Sequence, residues 1–253
     1  MSTRPEGAKP SIVRGVAVLS AQDDTGKPWV FPLDTDPETL EPLDGINRFP
    51  AMIPIRRAFR PLRFVGVWGL RLMGWRSLGT LPDRGKFVVI LMPHTSNIDF
   101  ILAVWIFFLF RVDLKYMIKG DVFKYGFGVF LRWTGAIPIE RTAAHGQVES
   151  AVRAFRDAGD RAILALTPEG TRSPTPTLKK GFYYIAKGAD VPMLLVTMHY
   201  DKKIIQFGPT IRSDRTWEEV TDDIESFCGH VQGRTRGYLD RVQNGWIHRR
   251  KRP

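Results

Sequence analysis

Phe87-Val88-Val89-Ile90-Leu91-Met92-Pro93-His94-Thr95-Ser96-Asn97-Ile98-Asp99-Phe100 is the stretch on which the fold of this 253-residue chain turns. The apolar run 87–92, closed by a proline, reads as a buried strand, and Ser96 or Asn97 supplies a helix N-cap before the apolar segment Ile98 to Phe110. His94 is therefore expected at the carboxyl end of the strand and Asp99 in the first helical turn. An imidazole there can take a proton from a substrate hydroxyl, while a carboxylate bonded to its other nitrogen fixes the tautomer and stabilises the imidazolium. No serine or cysteine nucleophile is then required. The competing reading makes Asp99 a helix-capping residue beside a structural histidine, because a spacing of this kind also arises by chance.

On either side the pattern repeats. Strands are expected at Leu114–Ile118, Ala136–Ile139, Ala162–Leu166, Met193–His199 and Lys203–Phe207, with helices at Val122–Trp133, Gly146–Ala158, Leu178–Lys187 and Trp217–Val242. Strands alternating with helices indicate an α/β fold: a largely parallel central sheet flanked by helices, with ligands bound beyond the carboxyl ends of the strands. Residues 1–50, rich in Pro, Asp and Gly with one possible strand at Ile12 to Leu19, read as an extended, partly ordered arm, and residues 51–253 as one catalytic domain.

The formal net charge is +11, which calls for an anionic partner: nucleic acid, phospholipid head groups or a phosphorylated substrate. Its distribution is uneven. Residues 1–50 are net acidic, whereas residues 51–90 carry Arg56, Arg57, Arg60, Arg63, Arg71, Arg76, Arg84 and Lys86 against Asp83 alone. Between these cations lie Phe59, Phe64, Trp68, Leu72 and Trp75, so the segment 55–76 reads as an amphipathic basic helix before the first core strand, either docked on an anionic membrane surface or packed on the core with a solvated arginine face. Arg249-Arg250-Lys251-Arg252 forms a second cationic patch. No apolar run reaches the ~18 residues of a spanning helix, and residues 1–10 lack the apolar core of a signal peptide. Cys228 is the single cysteine, which excludes an internal disulfide and a cysteine-based zinc site; the five scattered histidines form no legible metal cluster. Nothing resembling a zinc module or an RNA-binding aromatic motif accompanies the charge, so no nucleic-acid partner is expected.

Two further loops should lie on the His94 rim. Gly135-Ala136-Ile137-Pro138-Ile139-Glu140-Arg141 places Arg141 just after a short strand, and Thr167-Pro168-Glu169-Gly170-Thr171-Arg172-Ser173 follows another strand with a glycine-containing turn. Guanidinium groups converging there would suit a phosphate, Gly170 permits close backbone approach, and the turn amides could serve an anion or oxyanion. Lys179 and Lys180 add positive charge nearby. Taken singly, each of these charges is equally well explained as an ordinary surface ion pair or a solvated side chain.

Taken in order, these blocks resemble those of the glycerolipid acyltransferase family, the group containing 1-acyl-glycerol-3-phosphate acyltransferase, across about residues 60–210. His94 to Asp99 matches the family's His-x4-Asp, Gly135 to Arg141 its Gly-x-Ile-x-Ile-x-Arg block, and Pro168 to Ser173 its Pro-Glu-Gly-Thr-Arg-Ser block. Val191-Pro192-Met193 matches the start of its Val-Pro-Ile-x-Pro-Val block. Pro93 stands where members typically have Asn, Thr167 replaces the usual Phe, and Leu195 replaces the second Pro of the last block. None of these departures removes a chemically active group. The resemblance implies transfer of a fatty acyl group from a thioester donor, acyl-CoA or acyl carrier protein, to the hydroxyl of a lysophospholipid acceptor. It implies His94 and Asp99 as the catalytic pair; Arg141, Glu169, Gly170, Thr171 and Arg172 as acceptor-binding residues; no metal or cofactor beyond the donor itself; and a cytoplasmic protein held peripherally on the inner face of the membrane. The competing classes are an acyltransferase for another lysolipid, a non-catalytic lipid-binding protein of the same fold, and a thioesterase, in which water would replace the lipid hydroxyl.

Overall fold

The computed structural model describes residues 54, 60–78, 81–82, 84–124, 126–139, 144–173, 175, 177–229, 231 and 233–234, and four two-residue strands between residues 12 and 29. The chain divides into two units, residues 1–40 and 41–253. In the first, β1 (Ile12–Val13) pairs antiparallel with β2 (Val16–Ala17), and β3 (Ala21–Gln22) with β4 (Pro28–Trp29). The single strand expected at 12–19 is therefore a pair of minimal strands.

The second unit is built on a seven-stranded sheet of β5 (Arg76–Leu78), β6 (Lys86–Leu91), β7 (Lys115–Lys119), β8 (Ala136–Ile139), β9 (Ala162–Leu166), β10 (Met193–His199) and β11 (Ile204–Ile211). Their spatial order is β5-β11-β10-β6-β9-β7-β8. The five strands from β10 to β8 run parallel, while β11 and its parallel neighbour β5 run the other way because β10 turns back directly into β11. A buried parallel strand is apolar on both faces, and β6 obeys that rule. Phe87 and Val89 face one core, and Val88 and Ile90 face the other.

Each core has its own helices. On one face lies α2 (Asn97–Phe110), apolar around its whole circumference because it is sandwiched between the sheet and α1 (Leu62–Leu72). A Cβ on Gly66 of α1 would come within 2.6 Å of backbone atoms of Trp105 and Leu109, so this glycine is what lets α1 lie close on α2. The other face is covered by α4 (Ala144–Asp157), α5 (Gly181–Ala189) and α6 (Trp217–Cys228). Among the described residues no helix is long and apolar enough to cross a membrane.

Three expected elements change. The basic helix expected over 55–76 is described only as α1, ending at Leu72. Gly74 adopts a positive φ of 72°, and Arg76 joins the sheet opposite Ile204, making the strand that the sequence reading missed; residues 55–59 lie outside the described residues. The helix expected over 122–133 is a 3₁₀ turn, Gly120–Lys124, followed by α3 (Gly128–Thr134). A side chain on Gly128 would strike the Phe123 carbonyl at 2.6 Å, so the chain folds back tightly between the two segments. Finally, α6 stops at Cys228 rather than Val242. The next described segment turns back to the His94 loop, where the main-chain N–H of Arg234 donates to Thr95 at 2.8 Å instead of to a helical carbonyl.

Candidate active site

Because β6, β9 and β10 are parallel neighbours, the residues that follow them emerge on one rim. β6 delivers His94, β9 delivers Glu169 and Arg172, and β10 delivers Tyr200. Ser96 caps α2: its hydroxyl accepts from Ile98 N–H at 3.2 Å, and Asp99 returns the favour as the acidic member of a capping box. Oδ2 of Asp99 accepts from the main-chain N–H groups of Thr95 at 2.7 Å and Ser96 at 2.9 Å. The same oxygen lies 3.1 Å from Nδ1 of His94. That contact is not aligned as a hydrogen bond, and Nδ1 has no other partner. The capping and catalytic readings of Asp99 are thus compatible: the backbone bonds that cap the helix hold the carboxylate against the imidazole. His94 itself is 19% exposed, so its ring reaches the surface of the site.

Tyr200 supplies the second half of the grip. Its hydroxyl donates to Oδ1 of Asp99, and its ring meets Trp75 edge-on at 5.0 Å. Burial alone would push the Asp99 carboxyl up, but its contacts with His94, Tyr200 and the N–H groups of Ser96 and Thr95 outweigh burial and hold it below the usual carboxylate range. Burial and the neighbouring carboxylate both push the Tyr200 hydroxyl up, keeping it a donor. Tyr200→Phe is expected to cost about 1.5–3 kcal/mol of stability, the worth of a hydrogen bond to a charged group, measured by urea unfolding. An unchanged midpoint would mean that the bond contributes nothing.

Glu169 does not line the mouth. It is 2% exposed, and its Oε2 accepts the main-chain N–H of His94 at 2.6 Å, bracing the His94 loop. Its other oxygen, Oε1, is buried with no hydrogen-bond partner among the described residues. Burial first, and the charge of Asp99 second, push its carboxyl up to about 8, against the opposing effect of the His94 N–H. The folded protein then holds a proton that the unfolded chain releases above its ordinary range near 4.5, so Glu169 makes stability fall as pH rises from about 4.5 through about 8. In Glu169→Gln this part of the pH dependence should vanish. Urea midpoints at pH 5 and 8.5 check it, and equal slopes in both proteins would contradict it.

Gly170 takes a positive φ of 59°, and its N–H is spent inside the turn on the Thr167 carbonyl at 3.1 Å, so this amide does not serve an oxyanion. Lys179 lies over Gly170, while Lys180 turns away to stack on Trp217 at 4.9 Å. Thr171 is exposed and its hydroxyl accepts from Ser173 N–H at 3.3 Å. Arg172 crosses to α2, where its guanidinium donates to Oδ1 of Asn97. Arg141 lies outside the described residues. The structure therefore brings His94, Asp99, Glu169 and Arg172 together, and adds Tyr200 and Arg234. Tyr200 was findable, since it follows a strand on the same rim as His94; Arg234 had no local signal, being separated from its partner Thr95 by 139 positions.

Residues 77–199 match the model of the Acyltransferase family. This segment holds both members of the pair and the glycine-containing turn, and it is the part of the chain that carries the acyltransferase family's pattern. Among solved structures the chain is similar to the 1-acyl-sn-glycerophosphate (LPA) acyltransferase PlsC from Thermotoga maritima, with 17% identity and a TM-score of 0.48 over 77% of this chain and 80% of that one. No curated protein matches the chain.

Proposed function

We propose that this acyltransferase moves a fatty acyl group from a thioester, acyl-CoA or acyl carrier protein, to the free hydroxyl of a lysophospholipid such as 1-acyl-glycerol 3-phosphate, in phospholipid biosynthesis. The observation that carries the reading is the His94 imidazole held against a buried Asp99 carboxylate, with Arg172 bonded to Asn97 in the same first turn of α2. His94 takes the hydroxyl proton as the acceptor oxygen attacks the thioester carbonyl. The tetrahedral intermediate expels the thiolate, which receives the proton from the imidazolium, leaving an ester and a free thiol. Asp99 neutralises the imidazolium between the two proton transfers. Arg141, Thr171 and Arg172 are proposed to contact the acceptor, with Gly170 shaping the turn that carries them. An apolar cavity between the sheet and α2, of about 70 Å³, is lined by Phe87, Val89, Leu91, Phe107, Val196 and Phe207.

The setting we propose is the cytoplasmic face of the membrane, with peripheral attachment. α1 buries Gly66 and Leu70 and leaves Phe64, Val65, Trp68 and Leu72 exposed beside Arg63 and Arg71, the composition of a helix lying in an anionic lipid interface. The protein is expected to float with anionic vesicles at low salt and to lose that binding when Phe64, Trp68 and Leu72 are all changed to serine. Failure of the wild type to bind at low salt would refute membrane attachment. The reaction itself is tested by mass spectrometry of products after incubating the protein with acyl-CoA or acyl carrier protein and a panel of lysolipids. Release of free fatty acid with no diacylated lipid would make it a thioesterase.

A further inference from the structure

We propose that Arg234, carried by the segment that follows α6, forms with Arg172 a two-guanidinium clamp that holds a substrate phosphate at the mouth of the His94 site. This deepens the proposed function and rests on it for the identity of the substrate.

The two arginines reach the site from distant parts of the chain and stop on adjacent residues. Arg172 donates to Oδ1 of Asn97, and Arg234 donates to Oγ of Ser96 at 3.1 Å. Both side chains are exposed, and both bind neutral oxygens. Among the described residues neither has an acidic partner, whereas at the other end of α6 Arg212 pairs with Asp214, and Arg215 with Asp223 and Glu219. Among these residues no carboxylate pairs with either guanidinium beside His94, so both can take an anion. Each guanidinium commits one nitrogen to its neutral neighbour and keeps the rest of its planar fork, which matches phosphate oxygens bidentately.

Arg234 is also built into the site and not a loose surface side chain. Val231 is 1% exposed, and the backbone of Gly233 lies so close to Thr95 that a Cβ there would come within 2.3 Å of the Thr95 methyl. The N–H of Arg234 then donates to Thr95 Oγ1 at 2.8 Å. These contacts fix the origin of the side chain on the catalytic loop itself, so little entropy is lost when the guanidinium closes on a ligand. Its charge is also felt by the Tyr200 hydroxyl that grips Asp99.

A phosphate monoester between the two arginines gains charge-assisted contacts that an acceptor lacking the phosphate cannot make, which gives selectivity as well as affinity. The phosphate can belong to the acceptor or to the phosphopantetheine-linked donor.

The test compares wild type, Arg234→Gln and Arg234→Lys. KM is measured for 1-acyl-glycerol 3-phosphate and for acyl-CoA, each with the other saturating, with monoacylglycerol as the acceptor lacking phosphate. Binding of inorganic phosphate is followed by ³¹P line broadening, and folding by thermal unfolding. Arg234→Gln is expected to raise the KM of one phosphorylated substrate about tenfold or more, by the loss of a charge-assisted contact, with a smaller fall in kcat and no effect on the KM of monoacylglycerol. Arg234→Lys should recover part of it. Which KM rises identifies the source of the phosphate. Unchanged KM values with unchanged phosphate broadening would overturn the proposal, as would a fall in kcat and melting temperature with KM untouched, which would make the segment a structural latch. If the wild type transfers no acyl group to any acceptor, the proposed function fails. The clamp is then judged by phosphate broadening alone, surviving if Arg234→Gln weakens it about fivefold or more and falling if it does not.

Discussion

His94→Ala is expected to lower acyl transfer by about 10²- to 10⁴-fold, the range that general-base catalysis supplies. The physical reason is that an alcohol is a poor nucleophile until its proton is removed, and among the described residues the His94 imidazole is the basic group held against a buried carboxylate on this rim. The loss should appear in kcat with the acceptor saturating, because the proposed substrate contacts lie on other residues. Folding should be little affected: the backbone N–H that binds Glu169 survives the substitution, and the ring is partly exposed. The check is thioester-dependent transfer followed by thiol release, beside a thermal unfolding curve. Activity near that of the wild type with a folded variant would end the mechanism.

Asp99→Asn is expected to reduce transfer by a comparable ~10²- to 10⁴-fold while costing only about 1–3 kcal/mol of stability. The asparagine carbonyl can still face the N–H groups of Thr95 and Ser96, with its NH₂ donating to a reoriented Tyr200 hydroxyl, so the geometry of the loop is preserved. What disappears is the negative charge 3.1 Å from the imidazole. Without it the imidazolium formed during proton transfer has no counter-charge. Asp99→Ala should be far worse for folding, about 3–5 kcal/mol, because it strands three donors in a site with no solvent exposure.

The pH dependence supplies a separate check. The folded Asp99 carboxyl lies below its unfolded value, so its contribution to stability is complete above about pH 4 and is lost as pH falls. The wild type should lose stability on acidification more steeply than Asp99→Asn. Parallel curves would show that the carboxylate is not stabilised by its four neighbours.

Legibility in the sequence followed the range of the forces involved. Strands β8, β9 and β10 were readable to the residue because each is a short apolar run set between polar or glycine-containing turns. The cap was readable to within Ser96 or Asn97, because it is made by residues two and three positions away, and the structure places it at Ser96. By contrast, β5 is three residues long and takes its conformation from pairing with β11, more than a hundred residues later. The ends of α1 and α6 were overrun for the same reason. Their composition would continue a helix, but Arg76 is claimed by a strand and Arg234 by Thr95.

The placement of His94, Asp99 and Arg172 on one rim, the α/β class and the resemblance to the acyltransferase family were legible in the sequence alone, because periodicity, capping and ordered motifs are local properties of a polymer. The tertiary structure decided how each of these residues is used. It bonded Glu169 to the main-chain N–H of His94, and it closed Tyr200 onto the second oxygen of Asp99. It also brought Arg234 back over 138 positions to Ser96. The reason is that a buried carboxylate needs partners for its oxygens, and those partners are chosen by which strand ends the sheet brings together, not by proximity along the chain.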